Sequence, residues 1–298
     1  MDAKKVGMAT KVLRNRIGYT QHDLADSLGV TDKAVSKWER GLSVPDVAIV
    51  TQLSLILNCD VDNLLEGNIT FLEKSWQGLL IFKDESGKIF SGTMIYGKPL
   101  VYFLLSYFML AGIRNIYVKC SEIDENFIKS ELNTGEEYGI SIRFIKNDNE
   151  LERINTMVVF DNPFVYGPNL TKYFQRAMSR QNRISVLTAF KGKGGNGCSV
   201  DFDNYKVLQL NDVGNCYYVP ICFFPDNCFK EINEVADLEE LIEKNRLYAE
   251  PMGNGMIEYS IKTEEDVFQT AGFIRYLDNM MGNKIYDLYE IAKNRNMI

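Results

Sequence analysis

A chain of 298 residues, 46% hydrophobic and 24% charged, is long enough for one large or two medium cores and too apolar for disorder. Its formal net charge of −7 excludes a general nucleic-acid coat. Six cysteines, at 59, 120, 198, 216, 222 and 228, form no CxxC pair and follow no signal peptide, so a reducing cytoplasm is expected and metal–thiolate sites are not. The longest apolar stretch, residues 99–113, contains Ser106 and Tyr107 and is shorter than the roughly 20 residues that cross a bilayer. It reads as a core helix, with no membrane partner. Residues 1–67 hold eight Lys/Arg against nine Asp/Glu, a net −1 that leaves −6 for the remainder. DNA contact is therefore expected to be local to the first part and strongly salt-dependent.

Residues 8–67 break into five short helical pieces. Thr20 is an N-cap residue with Asp23 three positions on, and Leu24, Ala25 and Leu28 form an apolar stripe that stops at Gly29. Thr31 caps a second helix over residues 32–40, which buries Ala34, Val35 and Trp38 and turns Asp32, Lys33, Ser36, Lys37 and Arg40 outward. Gly41 ends it, and Asp46 opens the next helix with Val47, Val50, Leu53 and Leu57 inward. Two short helices joined by a tight turn at Gly29 make a helix-turn-helix, and the outward residues are the long or hydrogen-bonding types that base and phosphate readout needs. His22, the only histidine, has no cysteine or carboxylate partner at ligand spacing and reads as a surface residue, at most a phosphate contact.

The run "TQHDLADSLGVTDKAVSKWERGLSVPD", followed by "LNCDVDNLLEG", resembles the lambda-repressor/Cro (XRE) type of helix-turn-helix over about 60 positions. The resemblance implies an all-α DNA-binding domain over residues 1–67 whose partner is a double-stranded DNA operator. In it Gln21 anchors a phosphate, Asp32, Lys33 and Lys37 face base edges, Ser36 sits in the interface and Arg40 reaches the backbone. Asp32 accepts only from a cytosine amino group, or else caps its own helix.

A link at residues 69–77 without a Gly/Ser or Pro-rich tract is expected to be short and partly ordered. Beyond it, strand-like runs at 79–82, 115–118, 140–145 and 157–160 alternate with helical runs at 100–111, 123–132 and 170–179. That pattern is doubly wound α/β. Further strands at 184–190, 199–202, 207–210 and 217–224 have shorter connections, so a mixed sheet with an antiparallel part is expected. The first strand-to-helix turn, where such folds hold phosphate, carries "KDESGK" in place of several glycines. "KGKGGNG" at 191–197 lies between two strands with no helix N-terminus and reads as a loop.

The body, residues 68–298, resembles the sugar-1-phosphate nucleotidyltransferases over about 78–274, through "GKPLVYFLLSYFMLAGIRNIYV", "LNTGEEYGISIRF" and "TMVVFDNPFVYGPNLTKYFQRAM". The resemblance implies a Rossmann-like mixed sheet, a metal-binding aspartate at Asp161, ligand-binding candidates at Lys88, Lys98 and Asp161, and Mg²⁺ acting with a nucleotide ligand. It also shows what is missing. The family's GGxGTRLxPxT loop is replaced by "KDESGKIFSGT", no glutamate pair precedes a lysine near "VLQLNDVGNCYYV", and the place of the second metal aspartate falls near Ser260. The reading that follows is a cytoplasmic DNA-binding regulator whose degenerate body senses a nucleotide, sugar phosphate or nucleotide-sugar. The alternative is an active nucleotidyltransferase with an autoregulatory head. A homodimer is expected through residues 263–294, where Val267, Ala271, Ile274, Leu277, Met280 and Met281, then Ile285, Leu288 and Ile291, recur at near-helical spacing with Gly282 as a break.

Overall fold

The computed structural model describes residues 2–16, 19–57, 59, 61–67, 76–82, 89–152, 154–180, 183–190, 199–203, 205–211, 216–225, 235–244, 246–253, 255–281, 285–295 and 297–298. These fall into two compact units, one built on the N-terminal helices and one on a large sheet.

The helical unit contains α1 (Ala3–Arg16), α2 (Gln21–Leu28), α3 (Asp32–Glu39), α4 (Val47–Leu57) and α5 (Val61–Glu66). The punctuation read from the sequence is what shapes it. The Thr20 hydroxyl accepts from the Asp23 N–H while the Asp23 carboxylate accepts from the Thr20 N–H at 2.8 Å, closing a capping box, and Gly29 ends α2 at φ +66°. Thr31 caps α3 through the Ala34 N–H. Leu13, Leu24, Ala25, Val35, Trp38 and Leu53 meet in one core. Gly7 lets α1 cross α3 closely, because a Cβ there would run into the Trp38 carbonyl oxygen. Two inward assignments need correcting. Val47 is 82% exposed, since the first residue of α4 lies beyond the edge of the bundle, and Ile49 and Val50 cover that end instead. Ala34 is only partly buried.

The sheet unit starts earlier than expected. Trp76 and Gln77 belong not to a link but to β1 (Trp76–Ile81). Its elements continue as β2 (Met94–Ile95), β3 (Lys98–Pro99), α6 (Leu100–Ala111), β4 (Asn115–Lys119), α7 (Glu122–Leu132), β5 (Ser141–Phe144), β6 (Asn155–Val159), β7 (Pro163–Tyr166) and α8 (Leu170–Ser179). There follow β8 (Ile184–Phe190), β9 (Ser199–Asp203), β10 (Lys206–Asn211), β11 (Cys216–Phe224), α9 (Val235–Glu243), β12 (Leu247–Pro251), β13 (Ile257–Ser260), α10 (Glu264–Met281) and α11 (Leu288–Asn294). Nine strands form one sheet in the order β5-β4-β1-β6-β11-β8-β12-β10-β9. β5, β4, β1 and β6 are parallel, whereas β11 runs antiparallel to both β6 and β8. The doubly wound half and the mixed remainder are both as the sequence implied.

One face of the sheet packs Leu79, Ile81, Val158, Val186 and Phe224 against Leu238 and Leu241 of α9. On the other, α6 sits close to β1 because Gly78 has no side chain: a Cβ there would come within 2.6 Å of the Phe108 ring. The Tyr107 hydroxyl of α6 donates to the Pro163 carbonyl at 3.1 Å and accepts from the Val165 N–H at 2.9 Å, pinning β7. β7 pairs with β13 in a separate ribbon. The C-terminal segment closes this side, with Tyr286 stacked edge-on against Phe103, Tyr107 and Phe164. Of the periodic apolar positions in 263–294, Ile274, Ile285 and Leu288 are buried in their own unit, Val267, Ala271, Leu277 and Ile291 are half-buried, and Met280 is exposed. No helix among the described residues is long and apolar enough to cross a membrane.

Candidate functional site

In the helical unit, α3 presents Asp32, Lys33 and Lys37 exposed and Ser36 half-buried. Arg40 is the C-cap residue, and its Nε donates to the Ser36 carbonyl at 3.2 Å. Asp32 does not cap α3, which is Thr31's task. Its carboxylate stands 3.1 Å from His22 Nδ1 of α2. His22 Nε2 also lies 3.5 Å from the Asp26 carboxylate, so the histidine has two carboxylate partners that the spacing argument missed, one across the turn and one a helical turn along. Those partners, Asp32 first by hydrogen bonding and Asp26 and Asp32 by charge, raise the imidazole above its usual 6.5.

Gln21 is placed by a group that sequence reasoning did not single out. Glu39, at the end of α3, is a buried carboxylate paired with Arg14 of α1, and it accepts the Gln21 amide at 2.6 Å. Arg14 also donates to the Tyr19 carbonyl. One buried pair thus ties α1, the start of α2 and the end of α3 together. The signal in the sequence was an Arg and a Glu inside otherwise apolar faces, at positions 14 and 39.

In the sheet unit, β1 is flanked by β4 on one side and β6 on the other, so successive parallel strands leave β1 in opposite directions. A crevice is expected outside the carboxyl ends of strands at such a reversal. Residues 83–88, Lys88 among them, lie outside the described residues, as do 191–198 and 212–215. The chain re-enters the described part at Ile89, and Asp124 at the start of α7 fixes that return by accepting the Ser91 N–H at 2.8 Å and the Ser121 hydroxyl at 2.6 Å. Asp161 follows β6 after Phe160. It and Asn162 adopt φ +55° and +47°, a pair of left-handed residues that Asp and Asn tolerate better than most. The buried Asn162 holds the turn to the segment after β13, with the Ile261 N–H donating to its carbonyl at 2.9 Å.

What faces Asp161 is a cation. Lys262 Nζ stands 3.1 Å from Asp161 Oδ2. Among the described residues no group of three or more His, Cys, Asp and Glu side chains is arranged to hold a metal ion. Ser260 lies in β13, opposite Pro163 of β7. Among the described residues, one carboxylate facing an ammonium group is fewer oxygen ligands than a divalent-cation site takes. The Lys98 ammonium donates to the Ile285 carbonyl at 2.7 Å and lies 3.7 Å from Asp287. The described cysteines, Cys59, Cys120, Cys216 and Cys222, are unbridged.

Residues 11–64 match the model of the helix-turn-helix family. Over 61 residues, 20% of this chain and 56% of the relative, the sequence is 41% identical to the prophage-derived, uncharacterized HTH-type transcriptional regulator YonR of Bacillus subtilis. The larger part is similar to glucose-1-phosphate thymidylyltransferases: that of Neisseria meningitidis is 25% identical over 229 residues, 66% of this chain and 79% of the relative. That of Mycobacterium tuberculosis is 22% identical over 231 residues, with the same two shares. A Bacillus anthracis protein crystallised with sucrose, a candidate glucose-1-phosphate thymidylyltransferase, shares the fold with a TM-score of 0.56 at 11% identity, covering 67% of this chain and 96% of its own. The chain is a helix-turn-helix DNA-binding domain fused to a nucleotidyltransferase-like domain. In the nucleotidyltransferase-like domain, sequence reading overlooked Lys262 as the partner of Asp161, because it lies 101 positions away and the β7–β13 ribbon brings the two together.

Proposed function

We propose that this chain is a one-component transcription regulator. The head, residues 1–67, reads an operator through Lys33 and Lys37, with Gln21, Asp32, Ser36 and Arg40 completing the interface; the body, residues 68–298, binds a nucleotide, sugar phosphate or nucleotide-sugar that changes operator affinity. The observation that carries this reading is Lys262 against Asp161 at the sheet's reversal point. Transfer to a nucleotide's α-phosphate builds charge that bound metal must absorb, and the family apparatus for that is carboxylates from two strands. Here an exposed lysine ammonium stands 3.1 Å from the one surviving carboxylate. An ammonium can hold a phosphate oxygen, and a carboxylate beside it can take a sugar hydroxyl, which is binding without transfer. Lys88 and Lys98 are the further ligand candidates.

Similarity over two thirds of the chain to proteins named as thymidylyltransferases, with Asp161 retained, favours a second reading: an active enzyme that regulates its own pathway. One experiment separates them. The purified full-length chain is incubated with glucose 1-phosphate, thymidine triphosphate and Mg²⁺, and pyrophosphate release is followed beside binding of each compound by calorimetry. Binding with no release supports the regulator. Catalytic release abolished by Asp161→Ala establishes the enzyme and overturns the degenerate-sensor reading.

A further inference from the structure

His22 is the second residue of α2, next to Gln21, and its ring bridges two helices. Nδ1 lies 3.1 and 3.3 Å from the two carboxylate oxygens of Asp32 at the start of α3, and Nε2 lies 3.5 Å from Asp26 one turn along α2. The three side chains are open to solvent, at 67%, 58% and 70% exposed, so their pairing contributes little to holding the head together. The charges acting on the ring come from Asp32 of α3 and from Asp26 and Asp23 of α2, all acidic. α4, which also packs on α2, carries no charged residue from Val47 to Leu57, and Arg14 of α1 is turned to Glu39 and the Tyr19 carbonyl. The first turn of a helix is otherwise a poor place for a cation. These carboxylates bring the charged ring within reach of neutral pH and hold its pKa above the usual 6.5.

Protonating His22 takes the formal charge of residues 1–67 from −1 to zero, and does so beside the first residue of the helix that carries Lys33 and Lys37. With the ring neutral, Asp26 and Asp32 both repel an approaching phosphate backbone. With the ring charged, a cation stands between them and attracts the same backbone. A duplex brought against α3 therefore favours the charged ring, and by reciprocity the charged ring favours the duplex.

We propose that His22, with Asp26 and Asp32, is a proton-linked element of the DNA-binding face: the head takes up a proton at His22 as it binds a duplex, and binds more tightly as pH falls through neutrality. This rests on the placement of α3 against DNA given above and adds to it a residue and a dependence. One charge acting across solvent, within a Debye length of the phosphates, is worth a modest factor, about three- to tenfold in the dissociation constant over the whole titration of the ring. The factor should shrink as salt rises.

The full-length chain is tested on a rhodamine-labelled duplex that it selects from a random pool and on an unselected duplex of the same length, at one salt concentration, from about pH 6 to about pH 8.5. Anisotropy should give a dissociation constant on the selected duplex about three- to tenfold smaller at the acid end. Calorimetry in two buffers of unequal ionisation enthalpy should show net proton uptake on binding. His22→Gln, which cannot charge, should bind at the acid end as weakly as the wild type does at the alkaline end, and lose the uptake. His22→Lys, charged throughout, should bind at the tight level at both ends, with circular dichroism confirming that both variants fold. Wild-type affinity that is flat with pH, tightening that survives in His22→Gln, or no DNA binding at any pH would each overturn the inference. If the flat profile comes with Lys33→Ala and Lys37→Ala still weakening the selected duplex, the reading helix stands and the proton linkage alone falls. If those two variants weaken both duplexes equally while the His22-dependent uptake persists, the linkage stands and base reading through the two lysines falls instead.

Discussion

His22 is the chain's only histidine, so its titration reports on the turn between α2 and α3 without ambiguity. Its neighbours raise its pKa above 6.5, which means that protonation is favoured in the folded head. The contribution of the charged ring to that corner is fully present below the unfolded value and is lost as pH rises through the raised folded one. The ring resonances should therefore titrate with a midpoint above 6.5, and Asp32→Asn should bring it down towards 6.5. A wild-type midpoint at or below 6.5 would remove the pairing. On the reading face itself, Lys33→Ala or Lys37→Ala should weaken operator binding by about 1–3 kcal/mol, measured by fluorescence anisotropy on operator and random duplexes. Gln21→Ala should reduce both more evenly, with some loss of head stability because the amide also serves Glu39. Equal losses on both duplexes for all three variants would move the recognition surface elsewhere. In the body, Lys262→Ala should lower affinity for a phosphorylated ligand by about 1.5–3 kcal/mol if its ammonium holds a phosphate oxygen, the range for hydrogen bonds to charged groups. Unchanged affinity would leave Asp161 and Lys262 a surface ion pair of the turn.

At the scale of elements, the Arg14–Glu39 pair gives the sharpest stability test. Removing one partner of a buried ion pair leaves the other charged and dry, which costs roughly 3–5 kcal/mol. Glu39→Gln should destabilise the head by about that much. Trp38 lies in the head core and reports its unfolding in urea, with Trp76 replaced by Phe to silence the other tryptophan. A change below about 1 kcal/mol, the level of an exposed pair, would show that the pair is solvated. The head was largely legible because its signals are local: caps at Thr20 and Thr31, a left-handed glycine at 29, apolar residues three and four apart. The parallel half of the sheet was legible for the same reason, since β1, β4 and β6 each contain an unbroken apolar run. What escaped has a common cause. β12 carries Glu250 and Pro251, and β13 with β7 makes a ribbon whose pairing joins residues about 95 apart, so neither leaves a local pattern. The Asp161–Lys262 contact depends on that ribbon and was invisible with it. Periodicity in 263–294 was read as surplus surface, but an α-helix that is apolar at Ile274 for its own core and at Phe268 and Tyr276 for something else has two faces, and spacing alone does not say which is which.

For the whole molecule, the regulator proposed above requires that DNA binding and ligand binding be linked, and linkage has a quantitative signature. A ligand changes operator affinity by no more than its differential affinity for the DNA-bound and free proteins, and the operator must change ligand affinity by the same factor. Couplings of this kind are typically about 1–3 kcal/mol, or roughly 5- to 150-fold. The body's charge of −6 also matters, because it repels the phosphate backbone and leaves the nearly neutral head to supply all the attraction, so operator affinity should fall steeply with salt. Measurements of both affinities therefore belong at one fixed salt concentration. If saturating ligand shifts the operator dissociation constant tenfold in anisotropy, calorimetric titration of the same ligand into the preformed DNA complex should show its own constant shifted tenfold in the same sense. A shift in one without the other would mean that the ligand acts on DNA binding by some route other than this chain's own body, and a tightly bound ligand that shifts neither would leave an enzyme and a DNA reader that share only a backbone.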